Sequence, residues 1–188
     1  TTMYGANKLY CELLGTYYSD HYKQLSEQKP IMLDFRAVRF PGLISAFTVP
    51  SGGTSDYGPE MLHAATKGEP YSCFVRPDAT INFMAMPDAV KALIGIAEAP
   101  ARNLSRRVYN VTSFSLSAAE FFDIVQKSFP SAIIEYKVHE KRQKIIDSWP
   151  MDTEDKAARR DWGWLPDYEL DICFKDYLVP NIKKYYQK

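Results

Sequence analysis

The sequence predicts an α/β fold, with helices and strands alternating along the chain. Three observations predict it. Stretches with apolar residues near the helical period, such as 4–22, 86–100 and 170–186, are separated by short runs rich in β-branched and aromatic residues, such as 31–40, 107–112 and 132–138. The breaks between them are dense in Pro, Gly, Ser and Thr. Neither an internal repeat nor a low-complexity segment interrupts the alternation.

"YGANKLYCELLGTYYSDHY" reads as the first helix, about residues 3–19, because Leu9, Leu13, Leu14 and Tyr17 recur on one side. "KQLSEQKP" (23–30) breaks it, and "IMLDFRAVRF" (31–40) reads as a strand stopped by Pro41-Gly42. Residues 43–59 read as a long loop. "EMLHAATKG" is a short helix closed by Gly68, since glycine enters the left-handed conformation without penalty. "MPDAVKALIGIAEAP" is another helix, with Pro87 suited to its first position and Asp88 to its positive end. "RVYNVT" is a short strand. Ser117 and Glu120 stand in capping-box spacing at the start of a helix that ends at Pro130. "AIIEYKV" is a strand, "TEDKAARRDWGW" a short helix ending near Gly163, and 170–186 a last helix. Trp162 and Trp164, flanking that glycine, are expected to anchor the last helix, and Arg159-Arg160 to lie on a solvated face.

The 188 residues suffice for a real hydrophobic core. Lys+Arg and Asp+Glu both number 23, so no basic or acidic excess points to nucleic acid or an anionic membrane. No apolar run approaches the roughly 20 residues of a membrane-crossing helix. Cys11, Cys73 and Cys173 are odd in number and scattered, which suits neither a disulfide framework nor a metal site but fits a reducing compartment. They read as small buried hydrophobes. His21, His63 and His139 include no pair at ligand spacing, so no metal is expected.

Tyr4 and Lys8 are four apart and therefore share one face of the first helix. A free tyrosine ionises near pH ~10, and an adjacent ammonium favours its charged form. The pair is thus suited to take a proton from an alcohol. Tyrosine and lysine at this spacing also occur on ordinary solvated helices, so the pattern acquires meaning only from the rest of the chain.

Downstream of the pair, five stretches occur in order: "DFRAVRFPGLIS", "PSGGTSDY", "MPD", "SWP" and "ARRDWGW". Together with Y-G-x-x-K, the series resembles the extended short-chain dehydrogenase/reductase (epimerase/dehydratase) superfamily, and within it the family of short-chain L-threonine 3-dehydrogenases. The resemblance runs from Thr2 to about Leu178. It implies the C-terminal part of an extended Rossmann fold plus its smaller substrate-binding domain. Residues 1–50 would be the end of the dinucleotide-binding domain, with the catalytic helix and following strand. Residues 51–188 would be mainly substrate domain, with room for a strand and helix returning to the Rossmann domain. The glycine-rich pyrophosphate turn of such enzymes and the Ser or Thr that completes their catalytic set are not in this sequence, so this piece alone is expected to bind NAD weakly and to be inactive.

The resemblance implies NAD-dependent oxidation of L-threonine at its hydroxyl carbon to 2-amino-3-oxobutanoate, in threonine catabolism. It makes Tyr4 the base and Lys8 its partner, which also binds the nicotinamide ribose. Pro41 and Leu43 match the stretch beside the nicotinamide. Gly53, Thr54 and Ser55 match the substrate loop, with Thr54-Ser55 where the family has Thr-Thr. Trp149 becomes a cover over the substrate. A homodimer packed through the catalytic helix, with Tyr10, Leu14, Tyr17 and Tyr18 at its centre, is implied as well. So is a mitochondrial matrix location in a eukaryote or a cytoplasmic one in a bacterium. Two other readings stay open. One is a nucleotide-sugar epimerase or dehydratase of the same superfamily, against which stands the acidic Asp56 as the only charge in "PSGGTSDY". The other is a non-catalytic piece.

Overall fold

A computed structural model describes residues 2–22, 25 and 33–187. The expected break over 23–30 and the first two residues of the expected strand therefore lie almost wholly outside the described residues. Among the described residues helices and strands alternate, with three parallel strand pairs and one antiparallel pair, so the predicted α/β class holds.

The chain divides into two compact units. Thr1–Arg39, Lys91–Val111 and Asp155–Trp164 form the first; Phe40–Val90, Thr112–Glu154 and Leu165–Lys188 form the second.

In the first unit, helix α1 (Met3–Thr16) runs on into a π-helical turn at Tyr17–His21. Thr2 starts it: its hydroxyl accepts the Gly5 N–H at 3.1 Å, satisfying one of the donors a helix start leaves orphaned. Gly15 is glycine for lack of room, since a Cβ there would stand 2.4 Å from the Phe35 ring. Strand β1 (Ala37–Arg39) is shorter than the sequence suggests. Its partner is β5 (Val108–Asn110), parallel, with Val38 opposite Tyr109. The Arg36 guanidinium donates to the carbonyls of Ile96, Ala97 and Ala99, collecting acceptors that a helix end leaves free. Helix α6 (Lys156–Trp162) ends at Gly163, whose φ of 70° is left-handed as expected. Asp161 of α6 is buried and is the polar hub of the unit. It accepts from Arg160 Nε (2.6 Å), the Ser105 N–H (2.9 Å) and Tyr109 Oη (2.7 Å). The Arg160 contact above all holds its carboxyl well below the usual range. Arg159 pairs with Asp155 at 2.7 Å, so both arginines are matched by carboxylates. Trp162 and Trp164, expected to anchor the last helix, belong to the first unit. They pack inside the first unit, Trp162 against Tyr109 and Trp164, and Trp164 donates to Asp155.

The second unit holds a three-stranded sheet of β2 (Gly42–Ile44), β4 (Thr80–Ala85) and β6 (Phe114–Ser117), in that order. β2 and β4 are parallel, β4 and β6 antiparallel. A second, parallel pair joins β3 (Tyr71–Cys73) to β7 (Ile134–Tyr136). Pro41-Gly42 is therefore not the end of the strand region but a break between β1 and β2, and the loop begins only after Ile44. Four helical segments accompany these strands: α2 (Tyr57–Lys67), α4 (Ala118–Ser128), α5 (Glu140–Ile146), and a last helix composed of α7 (Leu170–Ile172), a π-helical stretch Cys173–Leu178 and α8 (Val179–Tyr186). The Ser117–Glu120 capping box forms with both of its hydrogen bonds, and α2 closes at Gly68 with φ 73°. Helix α3 (Met86–Glu98) starts one residue before Pro87, and the chain passes from the second unit to the first within it. Asp88 does more than face a helix end: it accepts the Asp167 and Tyr168 N–H groups at 2.9 and 3.0 Å, fixing the approach to the last helix.

The core of this unit is built around Tyr57, Met61, Leu62, Phe83, Phe121 and Phe174, all buried. Burial of apolar surface at roughly 25 cal/mol per Å² is its main stabilising term. Cys73 and Cys173 belong to it, and burial pushes the Cys173 thiol up to about 12. Cys11, by contrast, is exposed.

Candidate active site

Tyr4 and Lys8 stand one turn apart on α1, as their spacing predicts. The Lys8 ammonium lies over the Tyr4 ring, 5.4 Å from its centroid, within the range of a cation–π attraction. The tyrosine is 72% exposed, so its hydroxyl is open to approach. No residue of α1 is buried, and Leu9, Tyr10, Leu13 and Leu14 on it, with Tyr17 just beyond it, are exposed.

The remaining expected site residues lie in the second unit. Pro41 and Leu43 are half-buried, Leu43 opposite Met84 in β2. β2 is an edge strand of its sheet, so one row of its backbone groups meets no strand within the unit. Just beyond it, the Tyr177 hydroxyl accepts the Ala46 N–H at 3.2 Å and pins the start of the loop.

The "PSGGTSDY" stretch is an ordered turn rather than a loose one. The Asp56 carboxylate accepts the Gly53 N–H at 2.7 Å and the Ser51 N–H at 3.1 Å, while the Asp56 N–H donates to the Gly53 carbonyl at 3.2 Å. Gly52 has a φ of 90°, which glycine alone adopts without strain. Asp56 is therefore occupied in folding the loop, and Thr54 and Ser55 are half-buried within it. One partner is not legible in the sequence. Arg142, 90 residues away on α5, donates from Nη2 to the Gly52 carbonyl at 3.1 Å. In the sequence it sits in "HEKRQK", a charge-rich run with no mark to distinguish it from a solvated helix face. Its arrival gives the loop a cation, so the acidic character read from "PSGGTSDY" alone does not describe the folded surroundings.

Trp149 follows α5 and is 37% exposed. Its segment is tied at both ends. Arg76 forks onto Asp147 at 3.0 and 2.9 Å, while Gln143 accepts from the Arg76 N–H and donates to Asp147. On the other side, the buried Asn82 amide of β4 meets Thr153 and Ser115.

No family profile matches the chain. Individual proteins do. It is 40% identical over 169 residues, 90% of its length, to a mitochondrial L-threonine 3-dehydrogenase of Bos taurus, of which it covers 43%. The solved L-threonine 3-dehydrogenase of Trypanosoma brucei superposes on all of it with a TM-score of 0.87 at 38% identity, matched over 55% of that chain. An uncharacterized epimerase/dehydratase of Staphylococcus saprophyticus is 36% identical over 176 residues, with 93% of this chain and 52% of the relative covered. The chain spans about half the length of the relatives it matches. Its fold is thus that of the Rossmann-type epimerase/dehydratase and dehydrogenase proteins. Within that class its homologues include L-threonine 3-dehydrogenases, as the order of motifs implies, beside uncharacterized epimerase/dehydratases.

Proposed function

We propose that the protein carrying this chain is an oxidoreductase that oxidises L-threonine at its hydroxyl carbon to 2-amino-3-oxobutanoate with NAD. The observation that carries the reading is the Tyr4–Lys8 pair, set one turn apart on an exposed helix face in a chain about 40% identical to a protein of that name. Bound NAD would supply the hydride acceptor. The donors present suit a nicotinamide ribose: an ammonium and a phenol side by side, both able to bond vicinal hydroxyls. Tyr4 Oη takes the proton of the substrate hydroxyl. Lys8, held at the ring, presents its ammonium to the ribose hydroxyls. Pro41 and Leu43, at the start of edge strand β2, border the nicotinamide. Gly53, Thr54 and Ser55 hold the amino acid's polar groups through backbone N–H and hydroxyls, and Trp149 covers it.

An isologous homodimer through the catalytic helix completes the reading, since Tyr10, Leu14, Tyr17 and Tyr18 are 38–62% exposed. The location proposed is the mitochondrial matrix in a eukaryote and the cytoplasm in a bacterium. Among the described residues no helix is long and apolar enough to cross a membrane.

One observation favours a second reading. Arg142 brings a guanidinium to the loop, and such a group also suits the diphosphate of a nucleotide sugar. Assay of the intact protein decides between them. NADH formation on addition of L-threonine, and none with UDP-glucose or UDP-galactose, is the expected result. Interconversion of the two UDP-sugars without threonine oxidation would replace the first reading with the second.

A further inference from the structure

Arg142 is more firmly held than a surface arginine. Its guanidinium carbon lies 4.3 Å from the centroid of the Phe74 ring. The Phe74 carbonyl accepts the His139 N–H at 2.8 Å, and His139 in turn caps the first turn of α5 by accepting the Arg142 N–H. The ring under the guanidinium and the helix that carries it are therefore fixed by the same residue. Phe74 also meets Tyr57 edge-on, with ring centroids 6.2 Å apart, and Tyr57 is the fully buried residue that follows Asp56. The turn is thus fastened at both ends to one aromatic ring: at Tyr57 directly, and at Gly52 through Arg142. Between those points stand Gly53, Thr54 and Ser55.

The guanidinium has five N–H donors, and one of them is spent on Gly52. Among the described residues it meets no carboxylate, unlike Arg36, Arg39, Arg76, Arg107, Arg159 and Arg160, each of which has at least one. A flat cation that stacks on a ring while donating in its own plane is a geometry for arginine and not for lysine, whose ammonium is a point charge on a flexible stem.

We propose that Arg142 is a positioning residue for the substrate. Through the Gly52 carbonyl it holds the Gly53–Thr54–Ser55 segment in the conformation that receives the amino acid. This rests on the reading of that segment as the substrate loop. Because a disordered binding segment must be ordered when the substrate arrives, loss of the clamp weakens substrate binding although Arg142 itself need not touch the substrate.

The test uses the intact protein with Arg142→Ala and Arg142→Lys. KM for L-threonine is expected to rise about tenfold or more in Arg142→Ala, with kcat within about threefold and KM for NAD unchanged, as removal of uniform substrate binding requires. Tens of millimolar guanidinium chloride should restore much of the loss, whereas the same concentration of urea should not. Amide exchange over residues 51–56 should quicken in the variant. Should Arg142→Ala not fold, Arg142→Lys carries the test, with the same KM rise and no restoration of the stacked geometry. An unchanged threonine KM overturns the proposal. So does a raised KM that guanidinium fails to restore while exchange over 51–56 stays the same, which would mark a merely structural role. If the unsubstituted protein does not oxidise threonine at all, the proposed function falls instead, and the exchange measurement alone decides whether Arg142 orders the turn.

Discussion

The Asp56 carboxylate and the Gly53 N–H are 2.7 Å apart, and this bond folds the turn that carries Thr54 and Ser55. The same carboxylate takes the Ser51 N–H, so two backbone donors converge on one side chain. Asp56→Ala should free both. A backbone hydrogen bond to a charged group contributes roughly 1.5–3 kcal/mol when shielded and less in water, and this turn is exposed, so the global loss should be under about 1 kcal/mol. The effect on threonine KM should be larger than that on the thermal midpoint. A large drop in midpoint with an unaltered KM would place Asp56 in the fold rather than in the site.

Tyr4→Phe retains the ring under Lys8 and removes the proton acceptor. Turnover of threonine should fall by ~10²–10⁴, the usual worth of a general base. Stability should change little, because the side chain is 72% exposed. Lys8→Met should raise KM for NAD and lower turnover, and the double variant should be no worse than the more damaged single one, since groups that act as a unit are not additive. Near-normal oxidation by Tyr4→Phe would remove the basis of the assignment.

The apolar surface of α1 sets an expectation about assembly. Leu14→Asp is expected to weaken a dimer without unfolding the chain, because Leu14 is 38% exposed. Sedimentation equilibrium of the intact protein should give a dimer that this substitution shifts toward monomer. A monomer before substitution contradicts the interface.

His63 lends the second unit a pH dependence. It is buried, its Nδ1 is 2.9 Å from Tyr186 Oη, and its Nε2 meets no partner among the described residues. Burial first, and the nearby Lys67 charge second, hold its pKa below the ordinary 6.5. The unfolded chain then binds a proton more readily than the folded one. Stability is therefore full above pH ~6.5 and declines as pH falls through that value toward the folded pKa. The drop in thermal midpoint between pH 7.5 and 5.5 should shrink in His63→Gln. An undiminished drop would assign the acid sensitivity elsewhere.

Phe121 packs against Phe174 with ring centroids 5.0 Å apart and against Phe83 at 5.6 Å, fully buried. Phe121→Ala should destabilise the protein by about 3–5 kcal/mol, because the surrounding rings cannot collapse into the space it leaves. Denaturant unfolding measures this, and a cost below about 1 kcal/mol would mean that the core relaxes freely.

The local signals lie close together in the chain, and the sequence can carry them. The spacing of Tyr4 and Lys8, the Ser117–Glu120 capping box, and the glycine ends at Gly68 and Gly163 each involve residues within five positions, where helix geometry alone sets the outcome. The order of motifs carries the kinship. Strands β3, β4 and β6 leave no legible mark in the sequence, because β3 and β6 are only three and four residues long and β4, buried at five of its six positions, lacks the alternation that distinguishes a half-exposed strand. Helix α5 is equally hidden: seven residues rich in charge resemble a loop until packing buries Gln143 and Ile146. What only tertiary structure decided is the polar wiring. Arg142 reaches Gly52 across 90 residues, Asp161 reaches Ser105 across 56, and Asp88 reaches Tyr168 across 80. For Asp161 and Asp88 the bonds are selected by burial, which makes an unpaired polar group costly, and for the more exposed Arg142 by its seat on the Phe74 ring; both are properties of the assembled chain rather than of any segment of it.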